Sequence, residues 1–107
     1  MIFEFKTYRA APGAIDALIK RFQKTVMPIF ARLGIHVVHC WTTAAEPDAF
    51  YYMVRFDSEK VGKAAWAAFA SDAEWKAAKA ASETNGPLLA SQSTLYLQPT
   101  DFSPPAF

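Results

Sequence analysis

Cysteine, glycine and charge are all scarce in this chain, and each scarcity excludes something. One cysteine, Cys40, among 107 residues rules out an intrachain disulfide and makes a reducing compartment, the cytoplasm, the expected setting. Four glycines leave no glycine-rich phosphate loop and no dinucleotide-binding turn. Charged residues are 20% of the chain and balance to a net +1, too even for a nucleic-acid binder that relies on its field. No apolar run approaches roughly 18 residues, so no transmembrane segment is expected. Met1 passes straight into a strand-like run, without a signal-peptide pattern. What is abundant is apolar: 52% hydrophobic residues and 15% aromatic, which excludes disorder and requires a packed core. One domain over residues 1–107 is expected. A chain of this size hides only about two-thirds of its unfolded surface when it folds alone, so apolar surface should remain for a second subunit.

Periodicity divides the chain into elements. Phe3, Phe5 and Thr7 alternate with Glu4, Lys6 and Tyr8, the period of a strand, and Pro12-Gly13 ends it. From Ala14 to Leu33 the apolar residues Ile15, Leu18, Ile19, Phe22, Val26, Ile29, Phe30 and Leu33 recur at helical spacing. Pro28 predicts a kink or break within that helix, because its ring clashes with the carbonyl of Lys24, and Gly34 is its natural stop. Ile35 to Thr43 and Phe50 to Phe56 read as a hairpin with a long loop, Ala44 to Ala49. Asp57-Ser58 caps a second helix with an apolar stripe of Val61, Ala65, Ala68 and Phe69, Trp66 lying beside it. Ser71 and Glu74 form a capping-box pattern for a third helix, closed by Asn85-Gly86-Pro87. Leu89 to Gln98 is a fourth strand, and the tail Pro99 to Phe107 is expected to lie over a surface.

The order β-α-β-β-α(α)-β is that of an α+β, ferredoxin-like subunit: a four-stranded antiparallel sheet with helices on one face. The expected helix-side face holds Phe3/Phe5, Tyr52/Val54/Phe56 and Leu95/Leu97. The opposite face then presents Glu4/Lys6/Tyr8, Tyr51/Met53/Arg55, Gln92/Thr94/Tyr96 and His39/Trp41. Such a mixture suits an interface or a lined cavity better than free surface.

Four stretches carry a family resemblance: Gly34-Ile35-x-Val37-Val38-x-x-Trp41-Thr42-Thr43; Ala64 to Phe69 with Asp72, Glu74 and Trp75; Gly86-Pro87-Leu88; and Leu97-x-Pro99-Thr100-x-Phe102-Ser103-Pro104. With them the chain resembles the NIPSNAP family over nearly its whole length, whereas its opening strand follows the family's Tyr-x-Leu-Arg-x-Tyr start only loosely. The resemblance implies subunits paired sheet to sheet as a homodimeric α/β barrel, an architecture shared with small antibiotic-biosynthesis-type monooxygenases and haem-degrading enzymes. It implies no settled reaction. The larger eukaryotic members are associated with mitochondria and with vesicle or mitophagy signalling, and this chain looks like a bacterial relative.

The chemistry-bearing residues narrow the choice. Adjacent His39 and Cys40 on a strand point oppositely, so no thiolate pair is expected in one subunit. His36 and His39, an odd number apart, should also face opposite ways and share no metal. Haem oxygenation would need an axial ligand from the helices, yet residues 58–85 hold neither His, Cys nor Met. Trp66 and Trp75 are expected as core anchors. No cofactor and no metal are expected. Lys20, Arg21 and Lys24 cluster on the first helix, where a solvated face explains them. The candidate ligand-lining residues are Tyr8, His39, Trp41, Tyr51, Arg55 and Tyr96. Read plainly, they hold the dimer together, with Arg55 paired to Glu4 or to the partner subunit. The expected function is a homodimeric module binding a small apolar or aromatic ligand or a protein partner. The alternative is a cofactor-independent monooxygenase acting on a phenolic or quinol-type substrate, which needs those residues to converge on one enclosed space.

Overall fold

A computed structural model of the chain describes residues 1–105. Strand β1 (Ile2–Ala10) is followed by α1 (Ile15–Arg21), a π-helical turn (Phe22–Val26) and α2 (Met27–Arg32), which run on as one interrupted helix. Strands β2 (His36–Thr43) and β3 (Glu46–Phe56), helices α3 (Glu59–Ser71) and α4 (Ala73–Ser82), and strand β4 (Leu89–Leu97) complete the order. All strand pairs are antiparallel in the order β2-β3-β1-β4, the ferredoxin-like topology that the element order implies.

The first helix buries the stripe expected of it, with Leu18, Phe22, Val26, Ile29 and Phe30 inside. Pro28 disturbs it upstream rather than at its own position. It has no N–H to give, and the strain is taken up in a wide turn in which the Met27 N–H bonds to the Phe22 carbonyl, five residues back. Gly34, at φ 76°, ends the helix in a left-handed conformation.

The hairpin is tighter than its sequence suggests. Thr43 pairs with Glu46, so the connection is Ala44-Ala45, and Glu46 to Ala49 extend β3. Ser58 caps α3 by accepting the Val61 N–H. Helix α4 is capped by Asp72, which accepts the Trp75 N–H at 2.9 Å. The Ser71 hydroxyl instead donates back to Ala67 and Ala68, so the expected Ser71–Glu74 box does not form. The inward side of α3 is Gly62, Ala65, Trp66 and Phe69, while Val61 and Ala68 of the expected stripe are exposed. The tail does not lie over its own subunit: Phe102 is 82% exposed. Its last two residues, Ala106 and Phe107, fall outside the described residues.

Strand register overturns half of the expected face assignment. Glu4, Lys6 and Tyr8 sit opposite Val54, Tyr52 and Phe50, the residues buried under the helices. Across β4 the same three residues face Tyr96, Thr94 and Gln92. Phe3, Phe5, Leu95 and Leu97 therefore belong to the outer face with Met53 and Arg55, whereas the assignments for β3 and for His39 and Trp41 agree with the register.

Gly62 lets α3 approach β1 and β3. A Cβ there would stand 2.9 Å from a Phe56 ring carbon and 3.1 Å from Glu4 Oε2. Alanine favours a helix by about 1 kcal/mol over glycine, but overpacking a filled core costs about 1–3 kcal/mol. Gly62→Ala is therefore expected to lower the thermal unfolding midpoint by several degrees, and a higher midpoint would show that Phe56 yields freely.

Candidate functional site

Charge lies beneath the helices. Glu4 and Lys6 are only 3% and 9% exposed, a position ionic groups occupy only when paired. Lys6 Nζ lies 3.2 Å from Glu4 Oε1, donates to Thr94 Oγ1 at 2.8 Å and sits 4.4 Å from the centre of the Trp66 ring. The Trp66 indole N–H donates to Glu4 at 3.0 Å. Two strands and a helix are thus joined through one carboxylate and one ammonium, and Trp66 anchors the core through hydrogen bonding as well as packing.

Next to this group, between the sheet and the helices, the fold leaves a cavity of 460 Å³, within the range of small-molecule sites. Lys6 and Tyr8 form part of its floor; Phe22, Trp66, Phe69 and Trp75 are among its walls. The rings belong to one continuous cluster, with Phe69 stacked on Trp75 at 4.9 Å between centroids and Phe30 bridging Phe69 and Trp66. At one end Arg21 reaches from α1 to Glu83 at 2.7 Å and to Ser82, its guanidinium lying 4.9 Å over Trp75. Lys79 adds a bond to the same carboxylate. Burial pushes the Glu83 carboxyl up, but the bonds from Arg21 and Lys79 outweigh this and hold it below the usual carboxylate range.

Two tyrosines meet in the floor. Tyr8 Oη and Tyr52 Oη are 2.6 Å apart, with the rings edge to face. Burial raises the hydroxyl pKa of both, that of Tyr52 well above the ordinary value, so both remain protonated at neutral pH.

The residues expected to line one site are divided between two faces. Tyr8 lies at the cavity and Tyr96 on the same face at the sheet edge, 68% exposed and lining a separate small hollow near Glu59. His39, Trp41, Tyr51 and Arg55 lie on the outer face. There Phe5 packs against both Trp41 and Tyr51, and Tyr51 donates to Glu46 at 2.7 Å, which also pairs with Arg9. Arg55 does not pair with Glu4, which lies on the opposite face.

The histidine geometry is corrected too. His36 pairs with Arg55 and His39 with Met53, the register shifting between Val37 and His39. That bulge inserts one residue and places both imidazoles on the outer face. Among the described residues no group of three His, Cys, Asp or Glu is placed to hold a metal ion. No helix among them is long and apolar enough to cross a membrane.

The residues missed as site components are Lys6, Arg21, Trp66, Trp75 and Glu83. The available signal was a strand carrying Glu4 and Lys6 in an otherwise apolar chain. A buried pair reads the same as a solvated one until its cover is known.

The sequence profile of NIPSNAP proteins matches residues 3–104. No protein of curated function matches the chain in sequence. Among solved structures, the chain is similar to a NIPSNAP family protein of Agrobacterium tumefaciens, with TM-score 0.83, 24% identity and 97% of each chain covered. It is similar to an uncharacterized NIPSNAP domain protein of Burkholderia xenovorans, with TM-score 0.81, 23% identity and 97% and 99% covered. A Chloroflexus aurantiacus protein assigned provisionally as an antibiotic biosynthesis monooxygenase shares the fold at TM-score 0.60 and 24% identity, with 94% of each chain covered.

Removing one member of the buried pair should cost more than removing both. Lys6→Met leaves the Glu4 carboxylate uncompensated and is expected to destabilise by about 3 kcal/mol, whereas Lys6→Met with Glu4→Gln should recover most of the loss. Urea unfolding of both variants checks this, and a neutral Lys6→Met would mean that Glu4 is not held as a buried charge.

Proposed function

The chain belongs to the NIPSNAP family, and we propose that it acts as a homodimeric, single-domain binding module whose ligand, a compact apolar or aromatic molecule, occupies the cavity between sheet and helices in each subunit. The observation carrying this reading is the cavity itself. Small-molecule sites are concave, mostly apolar and largely pre-formed, and here a recess of 460 Å³, partly open to solvent, stands among aromatic walls. A ligand that removes those walls from water is stabilised by their apolar area, and the few polar groups at the floor and rim can orient it.

The outer sheet face supports pairing of two copies. An antiparallel sheet can leave one face in water when that face is polar, yet this one carries Trp41, Leu95 and Leu97 at 39%, 58% and 37% exposure, with Phe5, Tyr51 and Met53 beside them. A second copy laid sheet to sheet covers this patch and offers the exposed Phe102 a surface to rest on. His39, Trp41, Tyr51 and Arg55 are then dimer-contact residues. A lone thiol, Cys40, fits a reducing cytoplasm.

A second reading, a cofactor-independent monooxygenase acting on a phenolic or quinol-type substrate, is favoured by the fold shared with the Chloroflexus protein. Such chemistry asks for a group that takes the phenol's proton. Tyr8 and Tyr52 hold their own protons, Glu4 is committed to Lys6 and Trp66, and Glu83 to Arg21 and Lys79. The polar groups therefore support binding better than oxidation.

Two measurements test the proposal. Dimethylaminonaphthalene, followed by its fluorescence, is expected to bind saturably, and Ala70→Phe, which narrows the cavity, to weaken it about tenfold or more; no saturable binding to the wild-type chain would refute the cavity reading. Light scattering is expected to give twice the 11.9 kDa chain mass, reduced to a monomer by Trp41→Asp, and a wild-type monomer at micromolar concentration would refute the pairing.

A further inference from the structure

The charged groups around the cavity are bonded within the chain. The Trp66 N–H serves Glu4; Lys6 serves Glu4 and Thr94 and faces the Trp66 ring. Arg21 serves Glu83 and Ser82, and Lys79 serves Glu83. The tyrosine pair has an uncharged donor to spare, since two hydroxyls carry two protons and their mutual bond uses one.

Which proton remains follows from burial. Tyr52 is 0% exposed, and among the described residues its hydroxyl bonds to Tyr8. Tyr8, in contrast, lines the cavity. If Tyr8 donated, the Tyr52 proton would be sealed in the interior without an acceptor, a costly arrangement. If Tyr52 donates, the unused proton belongs to Tyr8, beside the cavity.

We propose that Tyr52 donates to Tyr8, that the Tyr8 O–H is thereby presented as an uncharged donor at the cavity, and that the ligand is a planar aromatic ketone or quinone whose oxygen accepts it. This rests on the cavity being the binding site. The ring walls select for a flat molecule, the Phe69–Trp75 stack offering an aromatic surface. The oxygen is that of a neutral carbonyl, because Lys6 is paired with Glu4 and Arg21 with Glu83, and Lys79, which shares Glu83 with Arg21, holds its charge half-exposed to solvent at the rim. The raised pKa values of both tyrosines agree with a pair that gives hydrogen bonds and does not take protons.

The test uses two naphthalene probes that differ in one group: Prodan, a naphthyl ketone whose emission moves to the red when its carbonyl accepts a hydrogen bond, and dimethylaminonaphthalene, which has no ketone. Wild-type protein should bind Prodan more tightly. Tyr8→Phe should weaken Prodan about fivefold, shift its bound emission to the blue and leave the other probe unchanged. Tyr52→Phe frees the Tyr8 hydroxyl to turn but keeps its proton, so bound Prodan should stay red-shifted with a smaller loss of affinity. Thermal melts establish that both variants are folded. If both probes bind but Tyr8→Phe affects them equally, or leaves the Prodan emission unmoved, the donor assignment is wrong and the cavity reading stands. If neither probe binds, the cavity reading fails and this inference falls with it.

Discussion

A carboxylate and an ammonium held out of water set the arrangement of the rest of this molecule. Glu4 and Lys6 lie on β1, a central strand with a neighbour on each side. Once both point beneath the helices, the pleat forces Phe3 and Phe5 to the far side. That makes the outer face aromatic and puts Glu4, Lys6, Gln92 and Thr94 on the inner face of β1 and β4, where large apolar residues would otherwise fill the space. Trp66 answers the charges with an N–H and a ring face, and Gly62, on the same helix, allows the approach this requires. The cavity and the apolar outer sheet therefore share an origin: the polar row of one strand turned inward.

The order of elements, both faces of β3, the buried stripe of the first helix and the Ser58 cap were legible in the sequence, because each rests on local spacing. The facing of β1 was not. Alternation shows that a strand has two faces and leaves open which one is covered, and hydrophobicity alone turns Phe3 and Phe5 inward. The decisive contact joins Glu4 to Trp66 across 62 positions of chain. The histidines illustrate a second limit: parity along a strand separates His36 from His39, and one bulge restores them to the same face. Tyr8 was expected on the outer face with His39, Trp41, Tyr51 and Arg55, and it lies on the helix side instead, among residues of helices that its strand pattern does not reveal.

The two faces of the sheet carry different kinds of chemistry. Outside are an apolar patch and a surface ion pair, Arg9 with Glu46, the ordinary composition of a contact between proteins. Inside are aromatic rings and charged groups ion-paired within the chain. Membership in the NIPSNAP family is consistent with both, and the shared fold with the monooxygenase-like protein leaves the chemistry to the site.

The wide turn at Phe22–Val26 has a consequence for how this chain can vary in length. Each residue advances an α-helix by about 100°, so the number of residues across the turn sets how Ile29 and Phe30 behind it face relative to Leu18 and Phe22 ahead of it, all four being buried. Losing a single position there would swing everything up to Gly34 around the helix axis, carrying Phe30 off the core and the start of β2 out of line with its sheet. Shortening by one is thus more disruptive in this helix than exchanging one apolar side chain for another, and the count of residues between Arg21 and Pro28 is as much a part of the fold as their identity.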